Sequence, residues 1–206
     1  MKKIAVFGAT GGTGQELTSQ ALAAGYQLKA LVRNPNRMSI TGDQLQLTIG
    51  DVLDQDKVNN CIAGCDAVIC SLGSTYKGPS DTTSVGTQNI IKAMNKYQIN
   101  RLLVVSSLGV GDSKDQISTA FKLVASTILR KVMIDKEQQE KIVMASKLKW
   151  TIIRPSGLTN GPKTNNYIVG TGKDIIAKRV SRANVADFLL KVLGKDQYVQ
   201  EAVAIT

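Results

Sequence analysis

Gly8-Ala9-Thr10-Gly11-Gly12-Thr13-Gly14 is the stretch from which the fold can be read. It follows Ile4–Phe7, a wholly apolar run of the kind expected of a central parallel strand buried on both faces. It opens a segment in which Leu17, Ala21 and Ala24 share one helical face, with Gly25 placed to end it. Gly8 permits a tight turn, Gly11 removes a side chain where a pyrophosphate would approach, and Gly14 lets helix pack on strand. The helix N-terminus offers unpaired N–H groups and the positive end of its dipole to an anion. A glycine-rich stretch can also be a plain structural turn. Here the strand before it, the helix after it and an acid at the end of the third strand agree on a dinucleotide site.

Working outward, apolar β-branched runs alternate with helical periodicity. Gln27–Val32 and Leu45–Ile49 read as the second and third strands. Asp54 can cap a helix carrying Val58 and Ile62, closed by Gly64. Asp66–Ser71 is a fourth strand, and Ile90, Ala93, Met94 and Tyr97 mark the next helix. Arg101–Ser106 is the fifth strand. Phe121, Val124, Ala125, Ile128 and Val132 form one long helical stripe, continued to about Ser146. Trp150–Ile153, a helix over Val185–Leu193 and a strand over Ala202–Ile205 complete the pattern. Strand followed by helix, repeated, implies an α/β fold: a single doubly wound Rossmann domain over residues 1–206, its sheet parallel and its helices on both faces. Pro155 and Pro162 bracket a loop rather than a domain boundary.

Composition narrows the class. A chain of 206 residues, 43% hydrophobic and 20% charged, can bury a full core and is neither disordered nor fibrous. No apolar run approaches the roughly 20 residues that cross a bilayer, so no membrane span is expected. Met1-Lys2-Lys3 leads into an apolar stretch too short for a signal peptide, which points to a cytoplasmic protein. Cys61, Cys65 and Cys70 lack metal-ligand spacing and there is no histidine. His-based zinc sites and Ser-His or Cys-His nucleophile pairs are therefore excluded, no metal is expected, and the cysteines read as small core residues. The net charge of +10 suits nucleic acid, an acidic membrane surface or an anionic ligand. The cations are spread along the chain and aromatics are only 4%, so no stacking platform for nucleic acid exists and steering of an anionic ligand is preferred. A monomer is expected, because no strongly apolar surface helix stands out.

The end of the second strand bears on which dinucleotide is bound. Leu31-Val32-Arg33-Asn34-Pro35-Asn36-Arg37 has no acid for a ribose 2′-hydroxyl and two arginines suited to a 2′-phosphate, unless both are merely solvated. NADPH/NADP+ is therefore preferred over NADH. Asp51 in Gly50-Asp51-Val52 could accept from an adenine amino group, or cap the following helix. Leu72-Gly73 ends the fourth strand with a small residue that lets backbone pass close to the cofactor.

With those residues in place, the chain resembles the NmrA-like atypical short-chain dehydrogenases, and among them the biliverdin-IXβ reductase/flavin reductase family. The resemblance runs nearly end to end. It rests on Lys3–Gly11, Leu31-Val32-Arg33, Gly50-Asp51-Val52-Leu53, Asp66-Ala67-Val68-Ile69 and Leu72-Gly73, with Thr82-Thr83 and Asn89-Ile90 behind them. It implies that Gly8, Thr10, Gly11, Gly12 and Thr13 hold the pyrophosphate, with Gly14 completing the glycine pattern. Arg33, Asn36 and Arg37 would surround the 2′-phosphate, Asp51 and Val52 the adenine, and Leu72 and Gly73 the ribose. Pro155, Ser156, Gly157 and Leu158 would form a backbone wall behind the nicotinamide. Ser107 and Lys136 fall where relatives keep catalytic side chains. Alternatively, Ser107 caps a strand end and Lys136 makes a helical i, i+4 contact with Glu140. The Tyr-x-x-x-Lys pair of ordinary short-chain dehydrogenases is missing around residue 136, which argues against carbonyl chemistry and sugar epimerisation.

The activity implied is NADPH-dependent reduction of flavins (FMN, FAD, riboflavin) and of biliverdin, a linear tetrapyrrole. In such acceptors the conjugated system takes the hydride and solvent can supply the proton. Substrate loops are expected at about 74–81, 108–120 and 157–172, and the sequence departs from the mammalian-type reductases at Ser74–Pro79 and Leu108–Gln116. Lys77, Lys114, Lys163 and Lys173 are candidates for drawing in acceptor carboxylates or phosphates. The competing reading is a non-catalytic NADP(H)-sensing or assembly module.

Overall fold

The computed structural model describes residues 2–73, 79–172, 175 and 177–206, with only the backbone described at Ala120 and Phe121. Residues 74–78, with Lys77, and Lys173 lie outside the described residues. The first strand, β1 (Lys3–Phe7), leads through the glycine turn into α1 (Gly12–Ala23) and then β2 (Gln27–Val32) and β3 (Leu45–Ile49). Asp54 caps α2 (Gln55–Ile62) as expected, its carboxylate accepting from the amides of Asp56 and Lys57. Next come β4 (Ala67–Cys70), α3 (Thr82–Lys96) and β5 (Arg101–Val105). They are followed by α4 (Thr119–Ser126), α5 (Arg130–Met144), β6 (Lys149–Pro155), β7 (Gly157–Thr159), β8 (Val169–Gly170) and β9 (Arg179–Ser181). The chain closes with α6 (Arg182–Lys195) and β10 (Glu201–Ile205).

The main sheet has the order β3-β2-β1-β4-β5-β6-β10-β8 and is parallel except for β8, which pairs antiparallel with β10. The order reverses between β1 and β4, leaving a crevice at the carboxyl ends of those strands. Two apolar layers hold the sheet. On one side α1 and α6 cover Ile4, Val6, Leu28 and Leu103; on the other α2, α3 and α5 cover Phe7, Val68, Leu102 and Ile152. Each such side chain, fully buried, contributes about 1.5–3 kcal/mol by area. All three cysteines are free and buried in the second layer, where burial pushes the Cys61 thiol up to about 12 and that of Cys65 to about 11. None is a thiolate at neutral pH. Among the described residues no helix is long and apolar enough to cross a membrane.

One expectation needs correction. The long helix over 121–146 is broken at residues 127–129 into α4 and α5. The hydroxyls of Ser126 and Thr127 both donate back to the Leu123 carbonyl, and the Leu129 amide reaches the Val124 carbonyl, so the ladder closes on itself. The doubly wound sheet is parallel as expected apart from β8, and β7 and β9 form a second small sheet. These strands are two or three residues long, too short for periodicity to reveal.

Candidate functional site

The crevice opens into a cleft of about 320 Å³ built from the carboxyl ends of five strands. Its floor is the glycine turn. Gly8 sits at φ +84°, a left-handed conformation that glycine alone adopts without strain, and its carbonyl accepts from the Gly11 amide at 3.0 Å. A Cβ on Gly8 would lie 2.5 Å from the Ser71 carbonyl oxygen, and one on Gly14 only 2.1 Å from the Gly8 oxygen. The turn is thus clamped between β4 and α1. Gly11 caps α1 with no side-chain bond, and no acid stands in the first turn, so the helix presents bare amides to the cleft.

One end of the cleft is basic. Asn34 accepts from the Asn36 amide and starts a short 3-10 helix over Pro35–Arg37, which turns Arg37 toward Arg33 at the cleft wall. Asp51 lies 4.0 Å from the Arg33 guanidinium and accepts from the Leu53 amide at 2.9 Å. It does not cap α2, since Asp54 does. Across the turn, Arg182 enters from α6. Its side chain stacks against Gly12, where a Cβ would come within 2.6 Å of Arg182 Cδ, and Nη1 donates to Asn160 at 2.6 Å.

The other end is formed by Leu72, Gly73, Val105, Ser106, Lys136 and Leu158. Lys136 is buried on α5 and donates from Nζ to the Val105 carbonyl at 3.1 Å. Burial pushes its ammonium below the ordinary lysine value, against the pull of Glu140 and Asp135. Glu140 is not its partner. It forms a bidentate pair with the buried Arg154, at 3.0 and 2.6 Å, and Arg154 reaches on to Asp112 at 2.6 Å. Asp112 belongs to a short 3-10 helix over Gly111–Gln116, so this triad ties the 108–120 loop to the core. Asp135, one residue before the lysine, accepts from the Thr83 and Ser84 amides, both at 2.9 Å, and caps α3 in place of its own N-cap side chain. The same helix turn that fixes α3 therefore aims Lys136 at the cleft.

Of the residues expected to hold a dinucleotide, Gly8, Thr10, Gly11, Gly12, Thr13, Arg33, Arg37, Asp51, Val52, Leu72, Gly73 and Leu158 come together around the cleft. Gly14 lies beneath it as a spacer. Asn36 is exposed and does not line the cleft. Pro155, Ser156 and Gly157 stand behind rather than in the wall: the Ser156 amide is bound to Ile205 and its hydroxyl to the Lys178 carbonyl. Ser107 is also displaced. After the last ladder pair, Val105–Ile153, the chain turns so that Ser106 lines the cleft, while the Ser107 hydroxyl donates to the Leu108 carbonyl. The Ser106 hydroxyl is buried without a hydrogen-bond partner among the described residues. Lys114 and Lys163 are paired with Glu137 and Asp187. Arg182 was not foreseen; it comes from a helix far along the chain, and no local motif marks it.

The fit to a dinucleotide rests on the cradle itself. Glycines stand where a Cβ would close it, bare amides face it, and guanidinium groups stand on either side. The family described as NAD(P)H-binding matches residues 8–196. The chain belongs to the NAD(P)H-binding family. An uncharacterised chloroplast protein of Arabidopsis thaliana is 30% identical over 99% of this chain and 76% of its own length. Protein TIC 62 of Pisum sativum, also chloroplastic, is 25% identical over 93% of this chain, which spans only 40% of that protein. Among solved structures, ChuY, an anaerobillin reductase from Escherichia coli O157:H7, superposes with a TM-score of 0.85. It is 24% identical and covers 98% of this chain and 96% of its own. At the level of an atypical, NAD(P)-binding Rossmann protein the resemblance read from sequence holds. Membership of the biliverdin-IXβ reductase branch is a finer assignment that none of these likenesses carries.

Proposed function

We propose that this protein is an NADPH-dependent reductase that delivers hydride to a flat conjugated acceptor, a linear tetrapyrrole or a flavin. The observation that carries the reading is one continuous cleft, with Arg33 and Arg37 at one end and the buried Lys136 and Ser106 at the other. Bound there, NADPH supplies the hydride. The amides of the glycine turn would hold the pyrophosphate, and Arg182 would close over it from α6. Arg33 and Arg37 would hold the 2′-phosphate, and Asp51 and Val52 would face the adenine. At the far end Lys136 would hold the proton that accompanies hydride addition, with Ser106, rather than Ser107, as the hydroxyl facing the acceptor. With no tyrosine among the described residues that line the cleft, the acceptor's own conjugation would spread the added charge. ChuY is an anaerobillin reductase, which supports placing tetrapyrroles first among acceptors.

The test is NADPH oxidation with biliverdin, FMN, FAD and riboflavin, followed by loss of nicotinamide absorbance. Turnover with at least one acceptor is expected. Tight NADPH binding with no turnover on any of them would overturn the reading and leave an NADP(H)-sensing module. The arginines give a second check. Arg33→Ala/Arg37→Ala is expected to weaken NADPH binding roughly tenfold to hundredfold by losing charge-assisted bonds, while NADH affinity barely moves.

Lys136 gives a third. Lys136→Met should lower kcat while leaving the fold no less stable at pH 7, because it removes a buried cation. The sign follows from linkage: folded Lys136 loses its proton below the unfolded value of 10.5, so between the two pKa values the unfolded chain binds more protons and stability rises with pH. The stability gap between the Met variant and the parent should therefore shrink as pH climbs through that window. Denaturant melts across pH would read it, and a variant that loses stability at neutral pH while keeping full turnover would assign Lys136 a structural role.

A further inference from the structure

The sequence offered no apolar surface helix, yet the structure has one. Leu123 is 67% exposed, Ile128 70%, Ile134 56% and Val124 38%, all on α4, the turn after it and the first turns of α5. Leu47 and Ile49 stand exposed two apart on the edge strand β3, and the other large exposed apolar side chains are scattered; here four fall within twelve residues. An apolar groove walled by Ile117, Met133 and Ile134 runs beside them. From Gln116 to Ile134 there is no acidic residue, while Lys122, Arg130 and Lys131 are all cations. Lys114 and Lys141 flank the same face. The acids that face it are Asp115, paired with Lys122, and Glu137, shared by Lys114 and Lys141, so the cations remain in excess.

We infer that α4 and the start of α5 form an interfacial docking surface for an anionic lipid bilayer. The occupant follows from shape and charge together. Leu123 and Ile128 stand out from the surface instead of lining the groove, so they suit insertion at a headgroup–acyl boundary, with cations beside them to meet lipid phosphates. A second copy of this chain is disfavoured, because a two-fold contact through this face would set Arg130 and Lys131 near their own equivalents. The inference does not depend on the cleft's chemistry. It has a geometric bearing on it, since α5 carries Lys136 on its opposite side and the groove reaches Gly109 in the 108–120 loop. A protein docked in this way would hold that loop near the lipid surface.

The experiment is co-sedimentation of the whole protein with vesicles of phosphatidylcholine alone and with roughly a third phosphatidylglycerol. Binding to the anionic vesicles is expected to exceed that to neutral ones by roughly tenfold at low salt and to fall as salt is added. Leu123→Ser/Ile128→Ser removes apolar area at constant charge and should weaken that binding about tenfold or more, with melting temperature and NADPH affinity unchanged. Arg130→Glu/Lys131→Glu should abolish it. Failure to bind anionic vesicles would overturn the inference. So would equal binding by the parent and the serine variant, which would mean attraction by net charge alone. A concentration-dependent dimer lost in the serine variant would assign the face to self-association instead.

Discussion

Replacing Gly11 by aspartate is expected to leave the protein folded and to abolish its affinity for NADPH. Gly11 has ordinary extended backbone, φ −78°, and an added Cβ would meet only the Gly8 oxygen at 3.3 Å, a contact that small shifts relieve. It is also the N-cap of α1, where aspartate is among the best residues because its carboxylate accepts from the first helical amides. Those are the amides proposed to hold the pyrophosphate. The substitution thus fills the anion site with a tethered carboxylate and adds charge repulsion to it. A loss in NADPH affinity of roughly a hundredfold or more is expected, with stability within about 1 kcal/mol of the parent. Isothermal titration and a thermal melt on one preparation read both numbers. Gly14→Ala supplies the contrast: a Cβ there would sit 2.1 Å from backbone oxygen, so that variant should lose stability first and binding as a consequence. If Gly11→Asp still bound NADPH tightly, the glycine turn would not be the pyrophosphate site.

Arg154→Met should produce the largest loss of stability for a change outside that turn. Arg154 and Glu140 are both nearly inaccessible and meet in a bidentate pair, with Asp112 sharing the Arg154 Nη2. Removing the cation strands a buried carboxylate, which typically costs about 3–5 kcal/mol. Arg154→Met/Glu140→Met should regain most of that loss, since a buried pair replaced by apolar side chains of similar volume is often neutral. The double variant would still lack the link to Asp112, so the 108–120 loop should show faster amide exchange even where global stability returns. Chemical denaturation with exchange measurements separates the two. A single variant within 1 kcal/mol of the parent would mean that the triad is dispensable.

The parts legible in sequence were those written as continuous local patterns. The edges of β2 and β3 follow their apolar runs to the residue, and the glycine turn announced itself by spacing. The failures have physical causes. Ser106-Ser107 is a doublet at a strand end, where one residue more of ladder decides which hydroxyl faces the cleft. The 127–129 break depends on hydroxyls that bond backwards, and a 3.6-residue stripe runs straight through it. Arg182 reaches the cleft only because α6 packs against α1, a long-range contact with no trace in either local sequence.

On α5 the residues Asp135, Lys136, Gln139 and Glu140 are all buried and polar, and together they answer to three other parts of the molecule. Asp135 serves α3, Lys136 the end of β5, Gln139 the Thr87 hydroxyl and Glu140 Arg154. A slip of one residue along the helix would break the bonds of all four side chains at once, and no single compensating change elsewhere could restore them. Length variation in this part of the chain should therefore be confined to the turn at 127–129, before α5 begins. Insertions there would only reshape the exposed hairpin, whereas even one residue added between 130 and 140 would turn this buried face away from every partner it has.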